Sequence, residues 1–120
     1  MKYKLDTNNY KIVIYTEDIC PDCIDLKEKL KESNIPFINK SITHTIDRTS
    51  NLDFDKEKAN NRWEFIDLSN DYPTKVAFSP VIVVENSEGK IDDVFSLGEH
   101  EGGFENTDGA LKILQENYCI

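Results

Sequence analysis

The strongest pattern along the chain is the run Ile12-Val13-Ile14-Tyr15, apolar on both faces of an extended backbone. It predicts a central strand over residues 11–16, covered by helices on each side. Residues 1–10 are polar and weakly periodic, a lead-in or an edge strand around Tyr3 to Leu5. Cys23, Leu26 and Leu30 then recur at i, i+3 and i+7. A first helix is expected over residues 21–33, with that stripe buried and Asp25 and Lys29 forming an exposed i,i+4 pair. Asn34-Ile35-Pro36 ends it, because a residue preceding proline is pushed out of the helical region, and residues 37–42 read as a second strand. A strand, a helix and a strand in this length imply a right-handed parallel crossover. Residues 43–53 are polar and read as a loop. A second helix is expected from 54 or 55 to 69, with Ala59, Trp63 and Ile66 as its core stripe and Phe65, Leu68 and Tyr72 widening it. A connector over 70–78 leads to a strand at 81–85 entered through Pro80, a position that need not donate to a sheet. The turn signal Asn86-Ser87-Glu88-Gly89 joins it to a strand at 91–97 as an antiparallel hairpin. After a loop over 98–106, Asn106 or Thr107 caps a third helix, in which Ala110, Leu111, Leu114 and Tyr118 recur at helical spacing. The order is β-α-β-α-β-β-α.

Composition narrows the setting. A chain of 120 residues can bury one core and reads as a single domain, 1–120. No stretch approaches the roughly 18 apolar residues of a membrane span, and Met1-Lys2-Tyr3-Lys4-Leu5-Asp6 has no apolar signal-peptide core. The cytoplasm is therefore the expected location, and a monomer the expected state. A net charge of −9 opposes binding to nucleic acid or an anionic membrane, both of which need clustered Lys and Arg.

The candidate chemistry lies at Cys20-Pro21-Asp22-Cys23, between the central strand and the first helix. Two cysteines three residues apart on a first helical turn can close a small disulfide ring, and the unsatisfied N–H groups there favour a thiolate. Pro21 fits the first helical position, where a missing N–H is harmless and φ is already helical. Cys20 is expected exposed at the tip and Cys23 one turn inside, on the core side. The spacing is also half a zinc site, but the remaining ligands, His44, His100 and Cys119, are widely scattered. In a reducing compartment Cys-x-x-Cys reads as redox chemistry rather than a staple, and the odd count of 3 cysteines leaves Cys119 as structural or incidental.

Ile12-Val13-Ile14-Tyr15-Thr16 followed by Cys20-Pro21-x-Cys23 resembles the opening of a glutaredoxin, within the wider thioredoxin fold. The resemblance implies a central mixed four-stranded sheet with helices on both faces, Cys20 as nucleophile and Cys23 as resolving thiol. It also implies that Ser79-Pro80 is the cis-proline facing the active site, with Ser79 offering its backbone to substrate. Gly102-Gly103 resembles the glutaredoxin turn that holds a glutathione carboxylate. Thr16, Glu17 and Asp22 complete the substrate-binding set so implied. Glu17 stands where glutaredoxins carry a basic residue, and Asp22 where they carry an aromatic one.

The implied activity is thiol-disulfide oxidoreduction of a protein disulfide, ribonucleotide reductase being the first candidate. No metal or organic cofactor is required, and glutathione or a flavoprotein reductase would supply electrons. The chain is also similar to the Spx and arsenate-reductase-like regulatory proteins, which open with strand, Cys-x-x-Cys and helix, and Asn34-Ile35-Pro36-Phe37 adds to that likeness. Those families place a longer helical insertion before their second proline strand. A metal or iron-sulfur scaffold is the third reading.

Overall fold

Strand β1 (Tyr10–Thr16) is the axis of the fold. The computed structural model describes residues 4–17, 20–42, 56–73, 75–76, 78–97 and 106–119. Around β1 are α1 (Pro21–Glu32), β2 (Ile38–Ser41), α2 (Lys56–Asp71), β3 (Phe78–Asn86), β4 (Ile91–Leu97) and α3 (Thr107–Tyr118). The sheet order is β2-β1-β3-β4, with β1 and β2 parallel and the β1–β3 and β3–β4 pairs antiparallel.

Alternation along β1 sorts the core into two layers. Ile12 and Ile14 face Leu26 and Leu30 of α1, Ala110 and Leu114 of α3, and Ile82, Val84 and Phe95 of the sheet. Val13 and Tyr15 face Leu68 of α2, with Val76, Val81, Val83 and Val94. A strand covered on both faces must be apolar on both, which is why its sequence is a continuous hydrophobic run.

Helix α1 stops in a Schellman motif, the Asn34 N–H donating to the Lys31 carbonyl (3.1 Å) and the Ile35 N–H to that of Leu30 (2.9 Å). The motif needs a left-handed residue, and Asn34 supplies it at φ 57°. Strand β2 is shorter than the 37–42 expected. Continuing its register would put Pro36 opposite Lys11, where proline has no N–H to give, so pairing begins with Val13 and Ile38. The expected hairpin forms: Asn86 Oδ1 accepts from the N–H groups of Glu88 (2.9 Å) and Lys90 (3.1 Å), and Gly89 takes φ 79°. Asn106 is the N-cap of α3, its side chain accepting from the Gly109 N–H at 2.9 Å. In the lead-in, Leu5 bridges Cys119 and the Asp6 N–H donates to the Tyr118 carbonyl (3.0 Å). Tyr3 and the expected loops at 43–53 and 98–105 lie outside the described residues.

Trp63 is a correction. It is 57% exposed, on the outward side of α2. The inward stripe is Asn61, Phe65, Leu68 and Tyr72, at spacings of four, three and four. Asn61 is buried because its side-chain amide donates to the Ser41 carbonyl (2.9 Å).

The two packing sites should respond differently to truncation. Leu30→Ala, which empties a fully buried position, should cost about 2–5 kcal/mol. Trp63→Ala should stay within about 0.5 kcal/mol of the parent, as at other exposed positions. Urea unfolding of the three proteins checks both.

Candidate active site

The site is built at the carboxyl end of β1. Thr16 ends the strand, its carbonyl accepting from the Ile42 N–H (2.8 Å) and its fully buried hydroxyl donating to Asn39 Oδ1 (2.6 Å). The Thr16 side chain therefore ties β1 to β2. The half-buried Glu17 follows, its carbonyl accepting from the Cys20 N–H at 3.3 Å. Asp18 and Ile19 lie outside the described residues.

Cys20 is the N-cap of α1, with extended backbone at φ −85° and ψ 113° and Pro21 as the first helical residue. Its Sγ accepts the Cys23 N–H at 3.2 Å, and its carbonyl accepts the Ile24 N–H at 3.1 Å. Ser, Thr, Asn or Asp usually satisfies such an orphan N–H; here a sulfur does, so a charge on that sulfur meets a donor and the positive helix end. Cys20 is half-buried and Cys23 fully buried one turn inside, and no disulfide links them. Asp22, between them, is exposed on the first turn.

Register brings in the neighbouring strand. Tyr15 pairs with Val81, so Pro80 stands beside Thr16 at the same end of the sheet as Cys20. Pro80 is buried, and the β3–β4 register shifts between Phe78 and Val81, a bulge where proline cannot donate. Of Ser79 the backbone alone is described. Gly102, Gly103, His44 and His100 lie outside the described residues. Cys119 sits at the other end of β1, near Leu5 and Tyr10, and burial pushes its thiol pKa up.

Two polar networks hold the elements that carry the site, and the sequence pattern did not disclose them. Asp25 and Lys29, expected as an i,i+4 pair, do pair, at 3.1 Å, and also link α1 to α3. Lys29 Nζ reaches Asp108 Oδ1 and Thr107 Oγ1, each at 2.8 Å, and the buried Thr107 hydroxyl donates to Asp25. The Thr107 hydroxyl, with Lys29 beside it, lowers the Asp25 pKa; Asp108 and then Asp25 raise that of Lys29. On the opposite face the Tyr15 hydroxyl donates to Glu64 Oε2 (3.1 Å), which also pairs with Lys40 (2.7 Å). Burial, with the Glu64 charge behind it, pushes the Tyr15 phenol well above its ordinary range. Only the i,i+4 spacing of Asp25 and Lys29 was visible in advance; the other partners are distant in sequence.

The strand order β2-β1-β3-β4, with α1 and α3 on one face and α2 on the other, is the thioredoxin fold. No family model matches the chain, and no curated protein matches it. Among solved structures it is similar to the exposed lipoprotein thioredoxin Etrx1 of Streptococcus pneumoniae. The two are 16% identical with a TM-score of 0.43, over 91% of this chain and 85% of that one. Among the described residues no helix is long and apolar enough to cross a membrane.

Two outcomes are expected here. Because folding lowers the Asp25 pKa, the stability it contributes is complete above the ordinary carboxylate range and is lost as pH falls through the lowered value. Thr107→Val removes the chief cause, so its stability deficit should narrow as pH drops below about 4, which denaturant titration across that range reads out. Asp22→Asn removes the exposed carboxylate that stands between the two cysteines on the first turn of α1. Two like charges about 4 Å apart repel by roughly 1 kcal/mol in water, so alkylation of Cys20 by iodoacetamide at neutral pH should quicken about two- to fivefold.

Proposed function

We propose that the protein is a dithiol thiol-disulfide oxidoreductase, glutaredoxin-like in its Cys-Pro-x-Cys site, that reduces protein disulfides. One observation carries the reading: the Cys20 sulfur, at the start of α1, accepts the Cys23 N–H while the Cys23 thiol is buried one turn below. That gives one accessible sulfur at a helix start, with an N–H donor on it, and a second protected from solvent but one turn away.

The chemistry runs in two exchanges. The Cys20 thiolate attacks one sulfur of the substrate disulfide; a Cys20–substrate bond forms, the substrate S–S bond breaks, and the departing thiolate takes a proton. Cys23 then loses its proton and attacks Cys20 Sγ, releasing the second substrate thiol and leaving a Cys20–Cys23 disulfide. Two electrons have passed to the substrate, and a thiol reductant or a flavoprotein reductase restores the dithiol. Pro80, beside Thr16, and the adjoining Ser79 backbone are the proposed bed for the substrate chain. We place this activity in the cytoplasm, with a disulfide such as that of ribonucleotide reductase as the first substrate to try. Glutathione is expected to be a poor reductant, because Glu17 and Asp22 set negative charge where its carboxylates would approach.

The roles of the two thiols are separable. Cys20→Ser should abolish reduction of a small neutral disulfide, whereas Cys23→Ser should accumulate a mixed disulfide on Cys20, visible by intact-mass analysis. Faster alkylation of Cys23 than of Cys20 at neutral pH would reverse the assignment.

A further inference from the structure

The two flanks of α1 carry different chemistry. One is tied to α3 through Asp25 and Lys29. On the other, Cys20, Ile24, Lys27 and Lys31 follow at spacings of four, three and four residues, in one row along the helix. Ile24 is 45% exposed, an apolar side chain one turn from Cys20. Below it, Lys27, Lys31 and Asn34 form one wall of an open groove of about 810 Å³; Pro36 and Phe37, leading into edge strand β2, and Asn39 within it form the other.

The charge of this groove is opposite to that of the chain. Its lining holds two lysines and no carboxylate, in a sequence with 14 basic and 23 acidic residues. Glu28 and Glu32 are exposed and stand outside the lining. Among the described residues Lys27 and Lys31 form no ion pair, whereas Lys29 and Lys40 are held by carboxylates. Two lysines without an ion pair among the described residues, beside half-buried Phe37, make a local attractive field for anions on a molecule of net charge −9.

We infer that this row is a docking track for the substrate polypeptide, and that the protein selects disulfides flanked by an extended acidic segment. The inference rests on the oxidoreductase reading for its substrate, though not for the groove itself. At a helical rise of 1.5 Å per residue, Lys27 lies about 10 Å and Lys31 about 16 Å along α1 from Cys20. An extended chain advancing about 3.3 Å per residue covers those distances in roughly three and five residues. The preferred substrate thus carries carboxylates about three and five positions from its reactive cysteine, and an apolar residue before them that rests on Ile24.

The test uses two peptides of one sequence, each bearing its cysteine as a mixed disulfide with a small neutral thiol. One has Glu, the other Lys, at the third and fifth positions. At low salt the Glu peptide should be reduced with a kcat/KM roughly three- to tenfold higher, the scale of two exposed ion pairs. The ratio should approach one in about 1 M salt. It should approach one in Lys27→Gln/Lys31→Gln and invert in Lys27→Glu/Lys31→Glu. A ratio of one in the wild type, or a ratio unmoved by both double variants, overturns the inference. Anisotropy binding of thiol-free versions of the two peptides reads the groove without turnover. Reduction of a small neutral disulfide by the wild type reads the redox activity without the groove. Charge-dependent binding with no reduction of that disulfide would remove the oxidoreductase reading and leave the groove; reduction with no peptide preference would do the reverse.

Discussion

Burial of β1 on both faces is the constraint on which the rest depends. Its backbone groups can be satisfied only by neighbouring strands, and its side chains only by helices above and below. β2 and β3 supply the first; α1 with α3, and α2 on the other side, supply the second. Once that sandwich is closed, the chain leaving β1 emerges at a sheet end where the start of α1 and the opening of β3 are already present. The candidate site occupies the place where the central strand stops being buried.

At that place the local arrangement follows from the orphan N–H groups of a helix start. A thiol as cap gives the helix its missing acceptor and gives the sulfur a donor, so one contact serves both fold and reactivity. The second thiol is sealed because its position coincides with the core stripe of Leu26 and Leu30. The helix is fixed in rotation by Lys29 and its partners on α3, and this keeps Cys20 on the flank away from that contact.

Much of this was legible in the sequence because it depends on local pattern. The both-faces run of β1, the stripe of α1, the Asn86 to Gly89 turn and the Asn106 cap each have a periodicity or a turn chemistry that names the element, and the Cys-Pro-x-Cys placement follows from them. What was not legible depends on partners distant in sequence. Helix α2 offers two apolar stripes of similar regularity, and the one that faces inward is anchored by Asn61, a polar residue buried because the Ser41 carbonyl waits for it. Trp63 was therefore assigned to the wrong side. Thr16 reads as a strand-end residue beside the active site, and nothing local reveals that Asn39 claims its hydroxyl. The role of Lys29 was hidden likewise, since Thr107 and Asp108 lie far along the chain.

The short β2 has a consequence for how the sheet breathes. Only Val13 to Tyr15 of β1 lie between two paired neighbours, whereas Tyr10 to Ile12 pair with β3 alone and Thr16 with β2 alone. Backbone amides in the upper part of β1 are therefore released to solvent only by opening of the whole sheet, while those in the lower part open with the fraying of one edge. Slowly exchanging amides of β1 accordingly lie toward its Cys20 end, alongside those of Val81 to Glu85, which stand between β1 and β4. The Cys20 end of β1 is thus held by strands on both sides, and the end that runs beside the groove by one.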